Sequence, residues 1–207
     1  MDLASLKLGS QVDALKRFIL PGCKTVLDVG CGKNSNLIQI EKYLNHCVGV
    51  DIFGPDLALA KKNKTYSRYV NADIRHLNRL FKEKTFDCVM AMDVIEHLTK
   101  PEAKKLMYNM EKIAKKLVLI STPNGFVHQG MVGGNKFQIH KCGFTSRELR
   151  DLGFSVIGTD GPKFLRGSEA IIKYQPRFLF AIIANLLTPL FKFKSEWSYS
   201  LIAFKYL

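Results

Sequence analysis

Short hydrophobic runs alternate along the first 120 residues with stretches whose apolar positions recur at helical spacing. Continuous apolar runs predict buried strands, and apolar positions three or four residues apart predict amphipathic helices. We expect strands at 25–29, 47–51, 68–71, 87–92 and 117–121, and helices at 3–20, 36–44, 55–62 and 101–115. Such alternation predicts a parallel sheet with right-handed crossover connections and helices on its faces.

The remainder of the chain has strand patterns separated by a long connection. A capping box, Thr145 with Glu148, starts a short helix, and strands are expected at 153–158 and 199–206. About forty residues join these two strands, far more than a hairpin needs. Within this connection, residues 178–191 carry no charge, but 14 residues are too few to span a bilayer. We expect an insertion at about 161–197 that is a lid or a membrane-contacting element; a core helix or a dimer face stays open.

A glycine-rich turn follows the first predicted strand. Residues 26–34 read Val-Leu-Asp-Val-Gly-Cys-Gly-Lys-Asn, with Asp28 two positions before Gly30 and Gly32 two positions after it. A buried strand that ends in glycines lets a ligand approach the backbone where side chains would block it. A dinucleotide fingerprint needs a further glycine where Ser35 stands, so the pattern does not favour NAD or FAD.

Together with four later segments, this turn resembles the motifs of class I S-adenosylmethionine-dependent methyltransferases, and within them the small "type 11" group. The segments are 47–51, 69–74, 86–98 and 117–124, and the resemblance covers roughly residues 10 to 160. It implies an α/β, Rossmann-like fold in a single domain, 1–207. The implied sheet has seven strands in the order 3-2-1-4-5-7-6, with the last strand antiparallel.

The resemblance also implies S-adenosylmethionine as cofactor and roles for the acids at the strand ends. Asp51 would bind both ribose hydroxyls, and Asp73 would accept from the adenine amino group while Ile74 and Ile52 cover the two faces of the ring. The full set of expected cofactor-binding residues is Asp28, Gly30, Cys31, Gly32, Asp51, Ile52, Asp73, Ile74 and Met92.

Residues that could act on a methyl acceptor lie in the segments after the fourth and fifth strands, because ligands of open α/β sheets sit at the carboxyl ends of strands. The candidates there are Asp93, Glu96, His97, His128 and His140. We take His97 and His140 as the candidate catalytic residues and expect no metal. For Asp93 and Glu96, a capping pair with three-residue spacing is the alternative to contact with acceptor or cofactor.

Composition agrees with one globular domain, since 47% of the 207 residues are hydrophobic and 24% are charged. The balance of 31 basic and 18 acidic residues gives a net charge of +13, which attracts nucleic acid, anionic lipid and acidic metabolites alike. Five cysteines without a Cys-x-x-Cys pair favour free buried thiols in a reducing compartment. With no apolar signal core near Met1, we expect a cytoplasmic protein, with peripheral membrane contact left open.

These observations predict an S-adenosylmethionine-dependent methyltransferase acting on a small-molecule or lipid-like acceptor near a membrane surface. One alternative is a metal-dependent small-RNA 3′-terminal 2′-O-methyltransferase, whose Glu-x-x-Glu-His pattern with a distant His is partly matched by Asp93, Glu96, His97 and His140. The other alternative is a non-catalytic protein that binds S-adenosylmethionine. Nucleic acid is not the expected partner, and the oligomeric state stays open.

Overall fold

A seven-stranded sheet organises the computed structural model, which describes residues 11–167, 171–191 and 193–207. The strand order is β3-β2-β1-β4-β5-β7-β6; β7 runs antiparallel to both neighbours, and the pairs among β1 to β5 are parallel. Both features confirm the prediction. The strands are β1 (Thr25–Val29), β2 (His46–Asp51), β3 (Arg68–Asn71), β4 (Phe86–Met92), β5 (Ala114–Pro123), β6 (Ser155–Pro162) and β7 (Ser198–Tyr206).

Six α-helices accompany the strands in the described part of the chain. They are α1 (Gln11–Phe18), α2 (Gly54–Asn63), α3 (Leu77–Leu80), α4 (Lys100–Ile113), α5 (Ser146–Asp151) and α6 (Arg177–Phe191). The predicted capping box is present at α5, where the Thr145 hydroxyl accepts from the Glu148 N–H and the Glu148 carboxylate accepts from the Thr145 N–H. The predicted helix at 3–20 begins outside the described residues, and α3 was not predicted.

The prediction of a helix at 36–44 is wrong. Two short 3-10 turns, Asn36–Gln39 and Glu41–Tyr43, occupy this segment. Ile40 interrupts them with a φ of −129° and ψ of −4°, outside the helical region. Leu37 and Ile40 are fully buried, so their three-residue spacing reflects packing into the core and not a continuous helix.

The sheet separates two hydrophobic clusters, one on each face. Alternate residues of β1 contribute to opposite sides, with Leu27 and Val29 in one cluster and Val26 in the other. Burial on both faces is expected for a parallel sheet with crossover helices. All five cysteines are buried and free, as predicted; they are Cys23, Cys31, Cys47, Cys88 and Cys142.

The long connection between β6 and β7 contains α6, which packs against β6. Two glycines of β6 allow the helix backbone to approach closely: a Cβ added at Gly161 would lie 2.6 Å from the Ala184 carbonyl oxygen, and one at Gly158 would lie 2.8 Å from that of Phe191. Because β6 is parallel to β5, the connection starts at the edge of the sheet where the parallel strands end. Within the described residues, we find no helix with both the length and the hydropathy of a membrane span.

Candidate cofactor and acceptor site

The glycine turn after β1 forms the floor of a cleft at the carboxyl edge of the sheet. Gly30 and Gly32 have φ values of +70° and +54°, in the left-handed region that favours glycine. The Gly30 N–H donates to the Val50 carbonyl at 2.8 Å, which ties the turn to β2. A Cβ on Gly30 would lie 2.7 Å from Val94 Cγ2, so both conformation and space require glycine there.

Asp51, at the end of β2, holds its carboxylate beside this turn. Its two oxygens accept from the backbone N–H groups of Gly32 and Phe53, each at 2.8 Å. Burial raises the pKa of Asp51, and the backbone hydrogen bonds oppose this rise. Each carboxylate oxygen keeps a lone pair for a second donor, so Asp51 can receive two neighbouring hydroxyl groups of a ligand.

Asp28 lies deeper than the other predicted acids. It is 1% exposed, and its carboxylate accepts from Ser35 Oγ at 2.6 Å and from the Tyr66 hydroxyl at 2.5 Å. Burial raises the pKa of Asp28 to about 6 despite these two hydrogen bonds. Asp28 therefore orders the turn from beneath, and Tyr66, which carried no recognisable motif, is the partner that sequence reasoning missed.

Asp73 follows β3 and is held by an arginine that the sequence analysis also missed. Arg75 donates from Nε to Asp73 Oδ2 at 2.9 Å and from Nη2 at 2.5 Å, and it reaches Glu102 at 3.2 Å through Nη1. Hydrogen bonding from Arg75 lowers the pKa of Asp73. The Asp73 carboxylate is therefore ionised and fixed in position, with the guanidinium beside it in the cleft.

Eight of the nine predicted cofactor residues line two adjoining cavities, and Gly32 lies in the glycine turn beside them. A cleft of about 700 Å³, its open mouth included, is lined by residues that include Gly30, Asp51, Ile52, Asp73, Ile74 and Arg75. A neighbouring cavity shares Gly30 and Asp93 with this cleft and is also lined by Asp28, Cys31 and Met92. The structure thus brings the predicted set together around one strand-end edge.

Asp93, after β4, connects the cleft to α1. Its carboxylate accepts from Gln11 Nε2 at 2.6 Å and from Ser121 Oγ at 2.7 Å, and its own φ is +55°. Asn36 Nδ2 in turn donates to Gln11 Oε1 at 2.8 Å. The 3-10 turn Ile95–His97 has no side-chain cap, because Val94 occupies its cap position. The capping interpretation of Asp93 and Glu96 is therefore wrong.

Glu96, His97 and His140 form a second group of polar side chains, and His97 also lines the cleft. Glu96 is 2% exposed, its carboxylate accepts from Thr122 Oγ1 at 3.1 Å, and burial raises its pKa well above the usual range. The ring centroids of the two histidines are 4.9 Å apart. One potential ligand atom from each of the three residues lies within 4.8 Å of the others.

The tautomers of both histidines follow from their carbonyl partners. His140 Nδ1 lies 2.6 Å from the Val127 carbonyl oxygen, and His97 Nδ1 lies 3.4 Å from that of Ile139. A carbonyl only accepts, so we assign the proton to Nδ1 and the lone pair to Nε2 in each ring. Burial lowers the pKa of His97 to about 4, with a further contribution from His140, so His97 is uncharged at neutral pH. His128 is exposed and does not join this group.

Comparisons with known proteins identify the class. Residues 27–120 match the Methyltransf_11 family, described as "Methyltransferase domain". An uncharacterised protein of Methanocaldococcus jannaschii, MJ0638, is 26% identical over 182 residues, covering 86% of this chain and 74% of that protein.

Solved structures agree in fold. A SAM-dependent methyltransferase from Archaeoglobus fulgidus superposes with a TM-score of 0.62 at 18% identity, covering 95% of this chain and 93% of that chain. Magnesium protoporphyrin IX methyltransferase from Synechocystis PCC 6803, crystallised with bound SAM, gives 0.53 at 20% identity, covering 95% and 77%. The match to the methyltransferase domain model spans residues 27–120, and the sheet has the fold of solved S-adenosylmethionine-dependent methyltransferases. The predictions of an S-adenosylmethionine-dependent methyltransferase and of its cofactor are confirmed.

The residues at the cleft fit this cofactor chemically. Asp51 offers fixed acceptors that suit a ribose diol, Asp73 offers an ionised acceptor, and the Gly32 Cα faces open space with no atom within 4 Å of an added Cβ. The bound cofactor supplies an electrophilic sulfonium methyl group. The chain must then align an acceptor with it and exclude water, since such a transfer is an in-line displacement.

Proposed function

We propose that the enzyme methylates a small-molecule or lipid-like acceptor that enters beside the segment between β5 and α5. The observation that carries this proposal is the apolar character of that segment: Phe126, Met131 and Val132 are 59%, 61% and 49% exposed. The same segment lines the cleft through Asn135 and Phe137. Exposed apolar side chains next to a cleft favour an acceptor with an apolar body. The free buried thiols support a reducing, cytoplasmic location.

For the cofactor, we propose the roles that the motifs imply. Asp51 accepts from the ribose hydroxyls, Asp73 accepts from the adenine amino group, and Ile52 and Ile74 cover the ring. The other residues proposed to form the cofactor site are Asp28, Gly30, Cys31, Gly32 and Met92. Arg75 is added to this set, because its guanidinium holds Asp73 and lines the same cleft.

For an oxygen acceptor, we propose that His97 is the general base and that His140 supports it. The low pKa of His97 keeps its Nε2 lone pair available at neutral pH, and hydrogen bonding at Nδ1 orients the ring. A base with so low a pKa is weak. We therefore propose that it removes the proton of the acceptor hydroxyl only while the new oxygen–carbon bond to the methyl group forms.

The test is incorporation of tritiated methyl groups into separated lipid, metabolite and RNA pools. We expect label in the lipid or metabolite pool, and a loss of about a hundredfold in rate for His97→Gln. His128→Gln is the matched control, because His128 is an exposed histidine of the segment between β5 and α5, and it should leave the rate unchanged. Label confined to RNA, or equal effects of the two substitutions, would refute this assignment.

A second candidate function is metal-dependent 2′-O-methylation of RNA ends, favoured by the Glu96, His97 and His140 group. Carboxylate oxygen and imidazole nitrogen suit Mg²⁺ or Mn²⁺, and a hydrogen-bonded Nδ1 with a free Nε2 is the usual arrangement of a ligand histidine. Asp93, the remaining residue of the pattern of this RNA methyltransferase class, does not join the group. Its carboxylate instead accepts from Gln11 and Ser121.

Chelation separates the two candidates. We expect activity on the lipid or metabolite pool to persist in EDTA. The second candidate instead requires activity on RNA ends that EDTA removes, that Mn²⁺ restores, and that Glu96→Gln abolishes. Glu83→Gln is the control, because Glu83 is exposed and belongs neither to the cleft nor to the candidate metal-ligating group.

A further inference from the structure

The helix α6 has apolar side chains on two opposite sides. One side packs against β6 through Ala184 and Thr188, which are 0% and 4% exposed. The other side carries exposed residues over about 120° of the helix circumference, at the 100° per residue of an α-helix. These residues, here called the outer face of α6, are Phe178, Leu179, Ile182, Leu186, Pro189 and Leu190.

The exposure of this face is large for apolar side chains. Phe178, Leu186 and Leu190 are 70%, 68% and 67% exposed, and Phe193 and Trp197 beyond the helix are 82% and 63% exposed. Most of the exposed large apolar side chains in the described residues lie between residues 126 and 197. Contiguous exposed apolar surface of this kind marks an interaction site.

The charges around the outer face indicate which partner covers it. The exposed side chains of Lys173 and Arg177 lie at the start of α6, Lys194 lies just beyond its end, and the helix itself contains no acidic residue. A second copy of the chain packed face to face would bring these like charges together, which opposes association. An anionic surface that accepts apolar side chains satisfies both properties.

We propose that the outer face of α6 docks on an anionic lipid bilayer and lies flat in its interface. At 15 residues the helix is about 22 Å long, short of the roughly 30 Å hydrocarbon core, so it lies in the interface and does not cross. Flanking basic residues attract anionic headgroups, and Trp197 suits the headgroup level. This inference rests on the proposed function, because docking on a bilayer would bring a lipid-like acceptor to the enzyme.

Contacts at both ends of the connection fix α6 relative to the acceptor side of the cleft. Lys163 Nζ donates to the Asn124 carbonyl at the end of β5. Asn124 Nδ2 donates to the Ser195 and Ser198 carbonyl oxygens at 3.0 and 2.9 Å. A bilayer bound to α6 is therefore held beside the strand-end edge, where a lipid-like acceptor would enter.

The test is co-sedimentation of the full chain with vesicles of phosphatidylglycerol and phosphatidylcholine, compared with vesicles of phosphatidylcholine alone. We expect binding to the anionic vesicles, reversed by roughly 0.5 M NaCl because salt screens exposed charges. Phe178→Ser with Leu186→Ser should weaken binding at least tenfold, and Lys173→Gln with Arg177→Gln should weaken it about ten- to thirtyfold. The matched controls are Leu59→Ser with Tyr108→Ser, and Lys61→Gln with Lys62→Gln, at exposed positions of α2 and α4.

Several results would overturn the proposal: no binding to anionic vesicles, equal losses in variants and controls, or light scattering that shows a dimer dissociated by the serine pair. If the Phe178→Ser, Leu186→Ser variant unfolds, the test rests on the Lys173→Gln, Arg177→Gln variant. Unchanged vesicle binding of that variant then refutes docking. Methylation of lipid dispersed in detergent micelles tests the proposed function separately. Micelle activity without vesicle binding refutes docking only, and vesicle binding without micelle activity refutes only the lipid-like acceptor.

Discussion

At the ends of β1, β2 and β3, the carboxylates of Asp28, Asp51 and Asp73 are each held by two or more donors, whereas α6 and the segment after β5 expose apolar side chains to solvent. Fixed acceptors are preorganised for one polar ligand, because little reorganisation remains when that ligand binds. Exposed apolar surface instead gains from partners that cover area without exact hydrogen-bond geometry. Under the proposed roles of these two regions, cofactor recognition is built into the fold, while acceptor recognition depends on what covers the apolar surface.

The largest expected effect removes a fixed acceptor from the cofactor side. Asp51→Ala should weaken S-adenosylmethionine binding by about ten- to a thousandfold, because it removes the acceptor of the two charge-assisted hydrogen bonds proposed to the ribose. The backbone N–H groups of Gly32 and Phe53 also lose their partner. Isothermal titration calorimetry measures the change. Asp51→Asn keeps the side-chain shape and one acceptor oxygen, so its affinity should lie between those of the wild type and the alanine variant. Unchanged affinity in the alanine variant would show that Asp51 is not part of the site.

The glycine turn gives the next effect, on stability. Gly30→Ala should destabilise the fold by about 2–4 kcal/mol, since alanine must adopt a positive φ and its Cβ would overlap Val94. Gly32→Ala, with open space at its Cβ, should cost only about 1–2 kcal/mol of conformational strain. Urea unfolding measures both. In a Val94→Ala background the cost at Gly30 should fall, and equal costs at the two glycines would contradict this account of the turn.

How much the sequence could predict differs between these two sides. The acids that end β2 and β3 and the glycines after β1 stand in short motifs, so their approach at one edge follows from parallel strand order. Their hydrogen-bond partners do not follow: Tyr66 lies 38 positions from Asp28, and Gln11 lies 82 positions from Asp93. No local pattern encodes such pairs, because they depend on how the helices pack.

The spacing of apolar residues also fails to predict secondary structure where a helix and an irregular segment produce the same spacing. Leu37 and Ile40 fit a helix by their spacing, yet Leu37 packs into the core from a 3-10 turn and Ile40 from the junction between two such turns. The uncharged run at 178–191 predicted a helix-sized apolar element, but only the structure separates its packed side from its exposed side. An apolar sequence shows that burial of its side chains is favourable. It does not show whether the protein core, a second copy of the chain or a membrane buries them.

The third prediction uses pH to probe the uncharged histidine on the acceptor side. The pKa of His97 is lowered from about 6.5 to about 4 on folding, so the unfolded chain binds more protons between these values and stability falls as pH decreases through them. From pH 7 to pH 5 this should cost about 2 kcal/mol. Asp28 acts oppositely, because its raised pKa, about 6, adds stability as pH falls.

The difference between wild type and His97→Gln isolates the histidine from Asp28. Urea unfolding at pH 7 and pH 5 should show that the wild type loses more stability than the variant, by about 2 kcal/mol. His128→Gln serves again as the exposed control and should follow the wild type. Parallel curves for wild type and His97→Gln would mean that His97 is not held uncharged.

The smallest expected effect distinguishes the two sides of α6. Phe178→Ser should change the free energy of unfolding by less than about 1 kcal/mol, because Phe178 is 70% exposed and loses little packing. Ala184→Leu, on the packed side, should destabilise by about 1–3 kcal/mol, since Ala184 is fully buried against Gly161 and has no room for added atoms. Thermal and urea unfolding of both variants at several protein concentrations provide the measurement. A large, concentration-dependent loss for Phe178→Ser would mean that a second copy covers the outer face of α6, and the dimer alternative would then replace membrane docking.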